Sequence, residues 1–179
     1  TTQYTNDFAS ASVLNGATIS GAATITGGVL QLTPNTTSQQ GGITIPASGV
    51  NADSYTISFK AITGGGGGAD GFSYNFGSDV SATSTTVNAE TGSGTKLNIS
   101  FDDYGTGTGA AGIRVLYGSS IISNPGTTPG TNGVLAYSDN TSWIGTNANF
   151  TITVDAFGRV TVKMNGVALL SNVQLPSDY

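Results

Sequence analysis

Apolar and hydroxylated residues alternate along most of this chain with a period of two, and no stretch keeps helical spacing for more than two turns. The clearest run is Tyr55-Thr56-Ile57-Ser58-Phe59, apolar on one face and hydroxylated on the other. Phe72-Ser73-Tyr74-Asn75-Phe76, the run from Leu97 to Phe101, and Ile113-Arg114-Val115-Leu116-Tyr117 follow the same rule. Toward the C-terminus, strands over 150–154 and 160–164 flank Asp155-Ala156-Phe157-Gly158-Arg159, where Gly158 supplies the positive φ that such a connection needs. Asn165-Gly166 is a type I′ turn signal leading into a strand from Val167 to about Leu170, so these three strands should form an antiparallel meander. Shorter strands are expected around 13–14, 23–25, 29–32 and 42–45, and long loops over 64–68, 78–94 and 123–133. Many short strands, punctuated by Gly, Asn, Asp and Pro every 8–12 residues or about that, imply an all-β antiparallel sandwich or barrel.

At 179 residues the chain suits one domain, spanning 1–179, with no internal repeat. Only 8% of its residues are charged, against about 25% in an average soluble protein. Solubility therefore rests on Thr, Ser, Asn, Gln and Gly. Disorder is excluded because Tyr, Phe, Ile, Val and Leu recur at short intervals throughout. The net charge is −5, and the five basic residues, Lys60, Lys96, Arg114, Arg159 and Lys163, are scattered. A nucleic-acid partner needs clustered Lys and Arg, and an anionic membrane surface needs the same, so both are excluded. The apolar run Val167-Ala168-Leu169-Leu170 is far too short to insert into a bilayer. No signal peptide is visible, which is expected of a mature or trimmed form.

The chain holds no cysteine and no histidine. That removes disulfides, thiolate nucleophiles, Ser-His-Asp arrangements and the commonest transition-metal ligand. A cysteine-free, Thr/Asn/Gly-rich, weakly charged composition is typical of bacterial surface proteins, so an extracellular or cell-surface location is expected.

Taken in order, several segments resemble the concanavalin A-like, L-type lectin domain. Asn6-Asp7-Phe8, Leu14-Asn15-Gly16-Ala17 and Gly28-Val29-Leu30-Gln31-Leu32-Thr33 look like its opening strands, and Gln40-Gly41-Gly42-Ile43 like its Gly-rich strand entry. Ala69-Asp70-Gly71-Phe72-Ser73-Tyr74 is similar to the family's Ala-Asp-Gly-Phe-Ala-Phe strand start. Ile99-Ser100-Phe101-Asp102-Asp103-Tyr104 resembles its Phe-Asp-Thr-Tyr strand end, and Gly112-Ile113-Arg114-Val115 its Gly-Ile-Asp-Val strand. The tail, from Phe150 to Met164 and then Leu169 to Pro176, resembles the later strands. The resemblance implies a jelly-roll β-sandwich. It also implies two further strands after the Leu-Pro segment, which here is followed only by Ser177-Asp178-Tyr179. Those strands are expected to be missing, replaced by N-terminal residues or donated by a partner.

The resemblance also nominates a site. Asp70, after a peptide bond that is often cis in the family, would accept hydrogen bonds from sugar hydroxyls, together with Gly71. Asp102 and the Tyr104 carbonyl would ligate calcium, with Asp103 adding a carboxylate. Calcium takes six to eight oxygens, and the family's next ligand is Thr106 here, while its later metal-binding Asp has no counterpart between Gly105 and Ala111. The transition-metal ligands of plant members correspond to Ser100 and Ala110, so no such metal is expected.

Each of these residues also has a plainer role. Asp70-Gly71 suits a simple turn. Asp102 and Asp103 suit a solvated strand end, since adjacent strand side chains point to opposite faces. Trp143, the sole tryptophan, could stack on a sugar ring with Tyr104 or could plug the core, and Tyr117 and Tyr137 share that ambiguity. The sequons at Asn35, Asn98, Asn140 and Asn149 arise readily in a Thr-rich chain. Glycoside hydrolysis needs two carboxylates across a cleft. The only glutamate, Glu90, lies in a polar loop, and Asp102-Asp103 lacks the alternate spacing that would put both groups on one face. The expectation is therefore a non-catalytic, carbohydrate-binding module whose partner is a glycan. The alternative is a structural or adhesive block that binds protein, or itself, through strand addition at an open sheet edge.

Overall fold

In the computed structural model, which describes residues 3–47, 53–64, 68–80, 89–105, 109–118, 122 and 124–179, the alternating runs are strands. Three expected loops fall partly outside the described residues, at 65–67, 81–88 and 123, as does Thr106. In chain order the strands are β1 (Thr18–Gly21), β2 (Thr24–Thr26), β3 (Val29–Gln31), β4 (Gly41–Thr44), β5 (Tyr55–Ala61), β6 (Gly71–Phe76), β7 (Leu97–Asp102), β8 (Gly112–Tyr117), β9 (Val134–Ser138), β10 (Ala148–Val154), β11 (Arg159–Met164) and β12 (Val167–Gln174). The described residues contain no α-helix and one 3₁₀ turn, Ala89–Thr91. All strand pairs are antiparallel. The protein is all-β.

The chain packs as two compact units, Thr1–Val50 with Ser81–Val87, and Asn51–Val80 with Asn88–Tyr179. In the first, β2 and β3 form a hairpin closed by Gly27 and Gly28, both at positive φ, and β1 pairs with β4. The strand expected at Val13-Leu14 does not form. Asn15 and Gly16 both adopt positive φ and turn the chain there. The Asn6 amide and the Tyr4 hydroxyl then donate to the Val13 and Leu14 carbonyls, which a partner strand would otherwise use.

The second unit holds two four-stranded sheets, β12-β11-β10-β5 and β6-β7-β8-β9. Their facing residues share one apolar core, which makes the unit a β-sandwich. Phe59 and Phe150, paired in register on one sheet, meet Phe72 and Phe101 of the other. Phe72 and Phe101 stack at 4.4 Å, and Trp143 meets both edge-on. Each such side chain taken out of water contributes roughly 1.5–3 kcal/mol. On the opposite face of β5 and β10, the hydroxyls of Thr56 and Thr153 and of Ser58 and Thr151 pair across the strands. The Asn165-Gly166 turn forms as the sequence implies, with both residues at positive φ between paired Met164 and Val167.

β12 runs on past Leu170 to Gln174, with register shifts against β11. The residues after it dock onto the same unit. The Leu175 amide donates to the Gly158 carbonyl, and the Tyr179 ring meets Phe76 and Tyr117.

The β6–β9 sheet departs from a simple half-buried pattern. Every residue of β7 and β8 is buried, including the polar Asn98, Ser100, Asp102 and Arg114 on the face turned from the aromatic core. The Asn98 amide is taken up by the Thr91 and Ser93 carbonyls and by the Asn75 side chain, so the stretch around the 3₁₀ turn roofs this face. Within this layer the Asn98 amide, Asp102 and Arg114 are hydrogen-bonded, as buried polar groups require.

Candidate functional site

The register of β6 with β7 brings the two acidic motifs together. Gly71 pairs with Asp102, and just beyond it the Asp103 amide donates to the Asp70 carbonyl at 3.1 Å. That carbonyl therefore points toward β7. Across the trans peptide that follows, the Gly71 N–H must point the opposite way, off the edge of the sheet. Among the described residues no strand pairs with that side of β6. The Ala69–Asp70 peptide is cis. Asp70 and Gly71 are both exposed. Position 71 requires glycine, because its φ is +131° and a Cβ there would collide with the Phe101 carbonyl.

Tyr104 stands beside this pair with 47% of its surface exposed, a large aromatic available to a ligand. Its amide donates to Asp102 Oδ1 at 3.0 Å, which fixes the chain as it leaves β7. Ile62 is exposed on the neighbouring segment after β5, whose Thr63 carbonyl receives the Gly145 amide. An exposed carboxylate, an outward backbone donor and an exposed ring thus share one end of the sandwich. Polar donor and acceptor groups beside an aromatic face are the ingredients of a small-molecule binding site.

Asp102 and Asp103 point to opposite faces, as their adjacency on a strand dictates. Asp102 is buried, and its Oδ2 lies 3.5 Å from Arg114 Nη1. Arg114 is itself 1% exposed. It donates through Nε to the Gly126 carbonyl at 2.6 Å and through Nη2 to the Ala110 carbonyl. Its guanidinium also lies over the Tyr137 ring. Asp103 is partly buried, and its Oδ1 and the Thr63 hydroxyl both lack a hydrogen bond of ordinary geometry. Burial raises the Asp102 carboxyl above its usual range. The Tyr104 amide and Arg114 oppose that rise, and the Asp70 charge adds to it. Burial raises the Asp103 carboxyl too, against the nearby Thr63 hydroxyl and with help from Asp102 and Asp70.

Glu90 belongs to the same electrostatic neighbourhood. It sits in the 3₁₀ turn with 6% of its surface exposed. Burial pushes its carboxyl up to about 7, and the Asp102 and Asp70 charges add to that rise. The sequence offers no sign of this beyond a lone glutamate in a polar loop. Arg114 did leave a signal, a charged residue inside the otherwise apolar strand Gly112-Ile113-Arg114-Val115-Leu116-Tyr117.

Two expectations need correction. Trp143 does not offer its ring to a ligand. It is 1% exposed, its indole N–H donates to the Asn140 carbonyl at 2.8 Å, and its edges meet Phe72, Phe101 and Phe150, so it closes the core. Nor does the set Asp102, Asp103 and Tyr104 fit calcium. One Asp102 oxygen holds the Tyr104 amide, the other faces a buried guanidinium, and Asp103 points away to the other face. Among the described residues no three acidic side chains gather as a metal-holding group. Asn98 is buried in the polar layer, which removes it as a glycosylation acceptor.

Compared with known proteins, the sequence matches no family model and no curated protein.

Proposed function

We propose that the protein is a non-catalytic, carbohydrate-binding module of concanavalin A-like jelly-roll type, belonging to a secreted or cell-surface protein. The observation that carries this reading is the hydrogen bond from the Asp103 amide to the Asp70 carbonyl. It fixes the exposed Asp70 carboxylate, the outward Gly71 N–H and the exposed Tyr104 ring at one strand end. In this reading Asp70 accepts hydrogen bonds from sugar hydroxyls, Gly71 donates one, and Tyr104 packs on the ring face. A glycan array with and without EDTA tests it, and binding under neither condition would sink it. For any sugar that binds, Asp70→Ala removes a charged acceptor and should weaken affinity by roughly 10–100-fold.

A second reading, docking of a protein partner or a second copy by strand addition, draws support from the outward Gly71 amide at the edge of β6. Backbone pairing would not need the Asp70 carboxylate, so self-association that survives Asp70→Ala would favour it. A strictly monomeric sedimentation profile would count against it.

A further inference from the structure

Arg114 is the most heavily committed polar side chain near the candidate site. Its three nitrogens reach three separate stretches: Asp102 at the end of β7, Ala110 on the way into β8, and Gly126 between β8 and β9. Its flat face is covered by Tyr137, whose own hydroxyl donates to the Ala111 carbonyl at 2.7 Å. A buried charge persists only when paired and hydrogen-bonded, and the groups this one meets are two carbonyls, a carboxylate and an aromatic face. Two backbone carbonyls and a carboxylate converging on one positive centre is the arrangement in which proteins usually hold a hard metal ion. Here the centre is a side chain of the chain itself.

We propose that the Arg114 guanidinium is the resident cation of this end of the sandwich. It positions the Asp102–Tyr104 strand end, and so the Asp70–Tyr104 edge, without a divalent metal. Arg114 acts through Asp102: it neutralises the carboxylate that holds the Tyr104 amide and ties it to the 110 and 126 stretches. Lysine cannot replace it, because a single ammonium lacks the planar fork that reaches three acceptors at once. That the edge receives a sugar rests on the carbohydrate-binding reading, but the role of Arg114 does not.

The test uses thermal unfolding and calcium titration calorimetry of the whole chain, with no sugar present. The wild-type protein should give no calcium-binding heat, and neither excess EDTA nor added calcium should move its Tm. Arg114→Gln leaves Asp102 buried and unpaired and should lower Tm on the order of 10 °C. Arg114→Lys should recover less than half of that loss. Adding Asp102→Asn to Arg114→Gln removes the orphaned charge and should restore part of the Tm, which a merely space-filling arginine would not produce. A calcium heat, an EDTA-sensitive Tm, or an Arg114→Gln loss unchanged by Asp102→Asn would each overturn the proposal. If Arg114→Gln does not fold, the wild-type calcium measurements still decide it. A failed glycan screen alongside calcium independence would sink the carbohydrate reading alone.

Discussion

Arg114 and Tyr137 face each other across the β8–β9 pairing, with the guanidinium carbon 4.9 Å from the ring centroid. The tyrosine does two separable things: its ring covers the cation, and its hydroxyl holds the Ala111 carbonyl. Tyr137→Phe should therefore cost about 1 kcal/mol, the worth of one hydrogen bond. Tyr137→Leu should cost about 1–2 kcal/mol more, because it also uncovers the guanidinium. Urea unfolding of both variants checks the order. Equal losses would mean that the ring contributes nothing to holding Arg114.

Gly71 is confined both by φ and by the Phe101 carbonyl across the strand pair. Gly71→Ala should destabilise the protein by about 2–4 kcal/mol, combining a disfavoured backbone with overpacking. A shift in urea midpoint at constant slope would measure it. A near-neutral variant would mean that β6 and β7 can separate at this end, and the site geometry would lose its basis.

Trp143 should behave as a core residue. Trp143→Ala should cost about 3–5 kcal/mol, and the native protein should emit blue-shifted fluorescence that no bound sugar quenches. Ligand quenching of this sole tryptophan would contradict its burial.

The pH dependence of stability should carry the mark of Glu90. Its folded-state value near 7 lies above its unfolded one, so it favours folding while protonated. That contribution is whole below about pH 4.5 and fades as pH rises through about 7. The raised Asp102 and Asp103 carboxyls act with the same sign. Glu90→Gln should therefore match the wild type near pH 5 and exceed it near pH 8, by about 1–2 kcal/mol after allowing for solvent screening. Melting curves at the two pH values check this, and parallel losses in both proteins would remove Glu90 as the cause.

Most strands of the second unit were legible because they alternate, as Tyr55 to Phe59 and Phe150 to Val154 do. β9 was not legible. Val134-Leu135-Ala136-Tyr137-Ser138 has no period-two pattern, and its place follows from pairing with β8. The expected strand at Val13-Leu14 failed because side-chain donors from Tyr4 and Asn6 claimed its carbonyls, a long-range event invisible to periodicity. Asp70, Gly71 and Tyr104 could be nominated from their motifs. Their assembly could not, since it rests on the β6–β7 register. Arg114 left a trace as a charge within an apolar strand, but its partners and the burial of Glu90 stayed hidden, because a sequence shows a charge and not its burial beneath a roof of chain.

The hydroxyl pairs Thr56–Thr153 and Ser58–Thr151 have a consequence for the surroundings this protein tolerates. Mobile ions screen exposed charges, but they do little to neutral hydroxyl dipoles. The exposed ion pairs Lys96–Asp178 and Arg159–Asp155 carry little of the stability. The one buried pair among the described residues, Asp102 with Arg114, is shielded from bulk salt by its own burial. Screening alone should therefore move the protein's Tm little, and melting curves at low and high sodium chloride would show whether it does.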